Sequence, residues 1–206
     1  SLYDATSAET ATIDISGVSG ASAAESGTQQ VSISITDSDS APTVTLTTND
    51  SSLSESDSDA TLLATLSVAT YQNVTVTLDT SGTATEGTDY ADISTITVSA
   101  GSTTGTTAFN PIDDSHYDAA SAESATVYIS GVSGGAATEY DIQTLAIAIT
   151  DNESAPTVTL ETVSTSVAEH GTTFNITARL SHTTYASTTV TLDASGSATE
   201  GVDYAS

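Results

Sequence analysis

The sequence contains no cysteine, no methionine and no tryptophan, and its only lysine or arginine is Arg179, against 27 aspartates and glutamates. Without cysteine there is no disulfide framework, no thiolate metal site and no thiol nucleophile. A formal net charge of -26 excludes nucleic acid and anionic membrane surfaces as direct partners. No apolar run is long enough to span a bilayer, so no membrane insertion is expected in this segment. Ser1–Ser7 lacks the basic and apolar regions of a signal peptide, so any export signal is expected outside these residues. What remains is an acidic chain of 206 residues, 37% of them hydrophobic, enough for small cores rather than one large mixed one. Such a chain repels itself unless ions screen it, which points to work in salt or to bound cations.

Self-comparison sets the organisation. Tyr3-Asp4-Ala5 returns as Tyr117-Asp118-Ala119, Ser16–Gly20 as Ser130–Gly134, Ala41–Leu46 as Ala155–Leu160, and Asp89-Tyr90 as Asp203-Tyr204, each displaced by 114 residues without a gap. Pro42 and Pro156 each follow an acidic turn that ends an apolar alternating run, and proline suits the first residue of a strand. One complete repeat is therefore expected at 41–153, preceded at 1–40 by the C-terminal part of one repeat and followed at 154–206 by the N-terminal part of the next.

Within the repeat, apolar residues alternate with polar ones at the period of a half-buried strand. Phe174, Ile176, Ala178 and Leu180 show it best, with Asn175, Thr177 and Arg179 on the other face. The same rule predicts strands around Val44 and Leu46, at Leu62–Leu66 and Val74–Leu78, at Ile96 with Val98, at Thr106–Phe109 and Ala125–Ile129, and at Leu145, Ile147 and Ile149. Seven short Val/Ile/Thr-rich strands divided by Gly/Ser/Asp turns predict an all-β fold: seven-strand antiparallel immunoglobulin-like sandwiches in tandem.

Successive antiparallel strands send alternate loops to opposite ends. One end then receives Asp50, Glu55, Asp57, Asp59, Asp79, Glu86, Asp89, Asp92, Asp113, Asp114, Asp118, Glu123, Asp151 and Glu153, and the other only Glu139 and Asp141. Carboxylates crowded in this way raise one another's pKa unless a cation sits among them. Hard oxygen donors on flexible loops, without cysteine and with few histidines, suit Ca²⁺ better than zinc or copper. At the repeat offset Glu55 pairs with Glu169, Asp79 with Asp193, Asp118 with Asp4, Glu123 with Glu9, Asp151 with Asp37 and Glu153 with Asp39, whereas Asp57 and Asp59 become Gly171 and Thr173 and are expected to be dispensable. Asp89, which pairs with Asp203, reads equally as a ligand or as a turn cap before Tyr90.

Ser54-Glu55, the run Gly82-Thr83-Ala84-Thr85-Glu86-Gly87-Thr88-Asp89-Tyr90, Ile112-Asp113-Asp114 and Thr150-Asp151-Asn152-Glu153 together resemble the Calx-beta domain of sodium/calcium exchangers and of tandem arrays in large bacterial surface and adhesin proteins. The resemblance covers the whole chain. It implies a seven-strand sandwich binding more than one Ca²⁺, with Glu55, Asp113, Asp114, Asp118, Glu123, Asp151 and Glu153 as ligands. Ser81 stands where the family has aspartate before Gly-Thr-Ala, leaving Asp79 two residues upstream as its substitute; Ser115 replaces a third aspartate and Asn152 interrupts the last acidic run. The stretch from Asp118 to Glu123 is also short. These departures imply fewer or weaker calcium ions than the family's fullest sites.

No catalytic centre is expected. His116 lies near Asp113 and Asp114, but its counterpart one repeat earlier is Leu2, and His170 and His182 match Ser56 and Val68. The sequence predicts a calcium-binding structural repeat of a long extracellular or cell-surface stalk or adhesin, rigidified by Ca²⁺ where repeats join, with neighbouring repeats of the same chain as partners. The alternative is an extracellular filament subunit in which parts of neighbouring chains complete one another's sandwiches.

Overall fold

Period-two alternation becomes period-two burial in the middle of the chain. In the computed structural model, which describes residues 2–4, 8–118, 122–168, 173 and 175–205, the described residues form strands and turns and no helix. A hairpin of β1 (Glu9–Asp14) and β2 (Gln30–Ile35) comes first. The central unit follows, with β3 (Thr43–Thr48), β4 (Ser52–Ser54), β5 (Ala60–Leu66), β6 (Val74–Gly82), β7 (Thr95–Val98), β8 (Thr104–Phe109), β9 (His116–Tyr117), β10 (Glu123–Ser133), β11 (Thr138–Glu139) and β12 (Thr144–Thr150). A last hairpin pairs β13 (Val158–Thr162) with β14 (Ile176–Leu180), ahead of the short β15 (Thr183–Thr184).

Two sheets face each other, one ordered β11-β3-β5-β8 and the other β4-β12-β10-β6-β7. Alternate residues of each strand meet between them: Val44 and Leu46, Leu62, Ala64 and Leu66, Val74 and Val76, Ile96 and Val98, Val127, and Ile147 with Ile149. Each buried Val, Leu or Ile among them contributes about 1.5–3 kcal/mol when fully buried, and among the described residues the buried hydrophobic ones lie between Val44 and Ile149. Near one end the core closes on Phe109 and Tyr90, whose rings stack 4.9 Å apart. This is the expected seven-strand all-β sandwich.

The first strand, however, serves both sheets. Asn49–Ser51 bends the chain: the Thr61 N–H donates to Asn49 Oδ1 at 2.5 Å and the Ser52 N–H to Asp50 Oδ1 at 3.0 Å. Beyond the bend, β4 joins the opposite sheet parallel to β12. The antiparallel rule also fails at β11 with β3, a short parallel pair at a sheet margin, and at β9 with β15, a separate two-stranded parallel pair.

The strand read most clearly from sequence behaves differently. β14 pairs with β13, yet Ile176 is 55% exposed and Leu160 58%; Phe174 lies outside the described residues. Alternation specifies which face is apolar, and burial also needs a second sheet to cover it, which β13 and β14 do not have among the described residues. The β1–β2 hairpin shows the same exposure at Ile13, Val31 and Ile35.

Candidate metal centre

Parallel pairing of β4 with β12 sets Ser54 opposite Thr150, so Glu55 and Asp151 leave their strands side by side in the same direction. The Glu55 N–H donates to the Thr150 carbonyl at 3.1 Å and closes the pair. Asp151 then organises what surrounds it: Oδ1 accepts the Glu153 N–H at 2.8 Å and Oδ2 the Asp118 N–H at 2.6 Å. The first turns Glu153 back towards Glu55; the second draws the chain after β9 over the end of the sandwich.

One carboxylate oxygen from each of Glu55, Asp151 and Glu153 lies within 4.8 Å of the others. Two oxygens on one Ca²⁺ at about 2.4 Å are separated by at most about 4.8 Å, so a single ion can span this group. Glu55 Oε2 and Glu153 Oε2 are buried without a hydrogen-bond partner. Burial first, then the charges of Asp151, Asp114, Glu153 and Asp89, push Glu55 from 4.5 to about 7. Glu153 is raised by its contact with Asp151 and then by burial. Unpartnered buried oxygens, mutual repulsion and an all-carboxylate donor set fit a hard divalent cation.

The other acids predicted as ligands fall into distinct settings. Asp114 adjoins the group and adds to the field on Glu55. Burial raises its own pKa, but hydrogen bonds from Tyr185 and the His116 N–H outweigh that and leave it lowered. Asp113 Oδ1 accepts from Asn152 Nδ2 at 3.0 Å, so the asparagine that interrupts the last acidic run ties down a predicted ligand. Glu123 opens β10 opposite Ile149 and belongs to a neighbouring group with Asp89 and Asp118; burial, then a side-chain hydrogen bond with Asp89 and its charge, bring it to about 7. Asp79 is elsewhere: it stands opposite Tyr128 on β6, bonds to that phenol and caps the Thr80 N–H at 2.8 Å, and it does not join the group of three.

At the positions 114 residues earlier, Asp37 accepts the N–H groups of Asp39 at 2.9 Å and Asp4 at 2.5 Å, reproducing the Asp151 arrangement, and these bonds lower its pKa. Glu9 lies at the start of β1 opposite Ile35. Glu169 lies outside the described residues. Asp57, expected to be dispensable, accepts the Ser54 N–H at 2.7 Å and closes the turn after β4. Asp89 caps its turn, Oδ2 accepting the Thr85 N–H at 2.6 Å, and the same carboxylate contacts Glu123. Its pairing with Asp203 was the available signal. Tyr185, a neutral residue, is repeated as Tyr71 at the same offset, but its chemistry did not point to an acidic site.

A sandwich with a split first strand, carrying acids at the ends of β4, β8 and β12, matches the Calx-beta domain profile over residues 37–148 and again over 151–206. The chain belongs to the Calx-beta family. Solved structures similar to this Calx-beta chain include the apo-form Calx CBD1 domain, at 16% identity and TM-score 0.45 over 54% of this chain and 99% of that one. The calcium binding domain CBD12 of CALX1.1 is similar at 16% identity and TM-score 0.47, over 57% of this chain and 49% of that one. No sequence among the curated proteins matches.

Proposed function

We propose that this Calx-beta chain is a calcium-binding structural segment of a tandem array in an extracellular or cell-surface stalk or adhesin, without catalytic activity, in which cation binding stiffens the joints between repeats. The observation that carries this reading is the Glu55–Asp151–Glu153 group with its two unpartnered buried oxygens, at the point where the chain leaves one sandwich. Glu153 precedes Pro156, where the next repeat is taken to begin, by three residues.

Glu55, Asp151 and Glu153 would hold the ion, with Asp114 adjoining them. A bound Ca²⁺ supplies the positive charge that offsets repulsion among these carboxylates. Asp151 fixes the exit of β12 by accepting from Glu153, and fixes the segment after β9 by accepting from Asp118. Stiffening of the joint therefore acts through groups already connected to the chain's exit. Residues 1–40 and 154–206 are proposed as parts of neighbouring repeats.

Calorimetric Ca²⁺ titration and thermal unfolding of the 206-residue chain test this, beside a Glu55→Gln/Asp151→Asn double variant. The expected result is saturable binding by the unsubstituted chain, stabilisation of about 2.7 kcal/mol at a free ion concentration of about 100 Kd, and loss of both in the variant. Absence of saturable binding overturns the proposal.

A further inference from the structure

The segment around Tyr117 and its counterpart around Tyr3, 114 residues earlier, each meet the following part of the chain in the same way, at two junctions. At the first, Tyr3 forms a parallel bridge with Thr70; the Tyr3 N–H donates to the Ala69 carbonyl at 2.8 Å and the Tyr71 N–H to the Tyr3 carbonyl at 3.3 Å. At the second, 114 residues on, β9 pairs in parallel with β15, Thr183 opposite His116 and Thr184 opposite Tyr117. The same register recurs with the same Tyr–Thr pair, Tyr3 with Thr70 and Tyr117 with Thr184, while Leu2 and Ala69 are replaced by His116 and Thr183, which marks a repeated docking contact carried by the main chain.

In the central unit the receiving loop is also tied to its own sandwich. Thr70 is 1% exposed, its carbonyl accepts the Gly101 N–H at 2.8 Å, and its hydroxyl donates to the Gln72 carbonyl. Gly135 packs beneath it with φ +55°, where a Cβ would stand 2.9 Å from Thr70 Cγ2. The close approach and the left-handed backbone both require glycine there.

The second junction adds a side-chain link. The Tyr185 ring stacks on His116 with centroids 5.0 Å apart, and its hydroxyl donates to Asp114 Oδ2 at 2.5 Å. Asp114 Oδ1 accepts the His116 N–H at 2.6 Å. The Asp114 carboxylate is thus held from two sides, by its own turn and by the next repeat, while each oxygen keeps a lone pair for a further partner.

We infer that Tyr185 is a positioning residue for the preceding repeat's acidic site: its hydroxyl orients Asp114, so that docking of one repeat and cation binding by the other are coupled. The inference rests on the calcium reading of that site. Coupling of this kind is reciprocal, so an ion that favours the held Asp114 also favours the docked junction.

The test uses the 206-residue chain with Tyr185→Phe, which keeps the ring and removes the hydroxyl, and with Tyr71→Phe as the counterpart at the first junction. Calcium affinity is read by calorimetry. Junction order is read with and without EDTA from the distance distribution between spin labels at Thr61→Cys and Thr177→Cys, in a chain with no other cysteine. Tyr185→Phe is expected to weaken calcium binding about tenfold, as losses of outer-shell partners do, and to broaden the distance distribution; Tyr71→Phe is expected to change neither. Unaltered affinity in Tyr185→Phe, while the unsubstituted chain binds calcium, overturns the inference and leaves the proposed function standing. Equal loss in both variants overturns it as well. Absence of calcium binding by the unsubstituted chain overturns both.

Discussion

The N–H of Asp118 donates to Asp151 Oδ2 at 2.6 Å, although 33 residues and all of β10 and β12 separate them. The same bond joins Asp4 to Asp37 one repeat earlier. An acid that binds two main-chain donors is an anchor for the chain as well as a source of charge, and this dual use shapes what substitutions at the site should do.

Asp151→Asn retains size and one acceptor oxygen but places an NH₂ group where Oδ2 or Oδ1 accepts an N–H. One of the two anchoring bonds is lost, a cost of about 1.5–3 kcal/mol for a bond to a charged group. Urea unfolding in EDTA should therefore show destabilisation without any contribution from metal. Asp79→Asn, at a carboxylate outside the group of three, should leave calcium binding unchanged in a calorimetric titration.

The pH dependence without metal follows from Glu55 and Glu123, both raised to about 7 from an ordinary 4.5. A raised carboxyl pKa means that the folded state holds protons the unfolded state has released, so stability is fully present below about pH 4.5 and is lost as pH rises through about 7. In EDTA the melting temperature should fall across that window. Saturating calcium favours the ionised carboxylates and should flatten the fall, and Glu55→Gln should shrink it. A melting temperature that rises between pH 5 and 7 in EDTA would contradict the assignment.

Phe109 is fully buried and stacked on Tyr90, and this pair supports the loops that carry Asp89 and Asp113. Main-chain bonds from Ile112 to the Asp89 carbonyl at 3.0 Å and from Ala91 to the Asn110 carbonyl at 2.9 Å knit those loops together above it. Phe109→Ala should cost about 3–5 kcal/mol, read from chemical unfolding, and should loosen the acidic end along with the core.

Gly82, with φ +135°, lies where β6 passes β10, and a Cβ there would stand 2.0 Å from the Ser124 carbonyl oxygen. Gly82→Ala should destabilise the chain by more than about 1 kcal/mol. Gly101, at φ +81° with open space around it, should show only the backbone penalty when replaced by alanine. Paired melting curves of the two variants separate collision from backbone strain.

What the sequence by itself determined is what short-range rules and self-comparison can reach. Alternation located the strands because side-chain direction has period two. The 114-residue offset exposed the repeat, and loop alternation sent the acids to one end. The Gly-Thr-Ala…Asp-Tyr run is a local device: the Thr85 N–H bonds to Asp89 Oδ2 at 2.6 Å, and the Thr199 N–H bonds to Asp203 Oδ2 at 2.7 Å although Val202 and Tyr204 remain exposed. Only the tertiary structure decided which acids meet. Glu55 reaches Asp151 because β4 crosses to the opposite sheet and runs parallel to β12; Asp79 stays away because its strand pairs it with Tyr128; Asp114 faces a tyrosine from the next repeat. Those outcomes depend on pairings between distant segments, and neither the apolar period nor the charge of a residue carries the address of its partner.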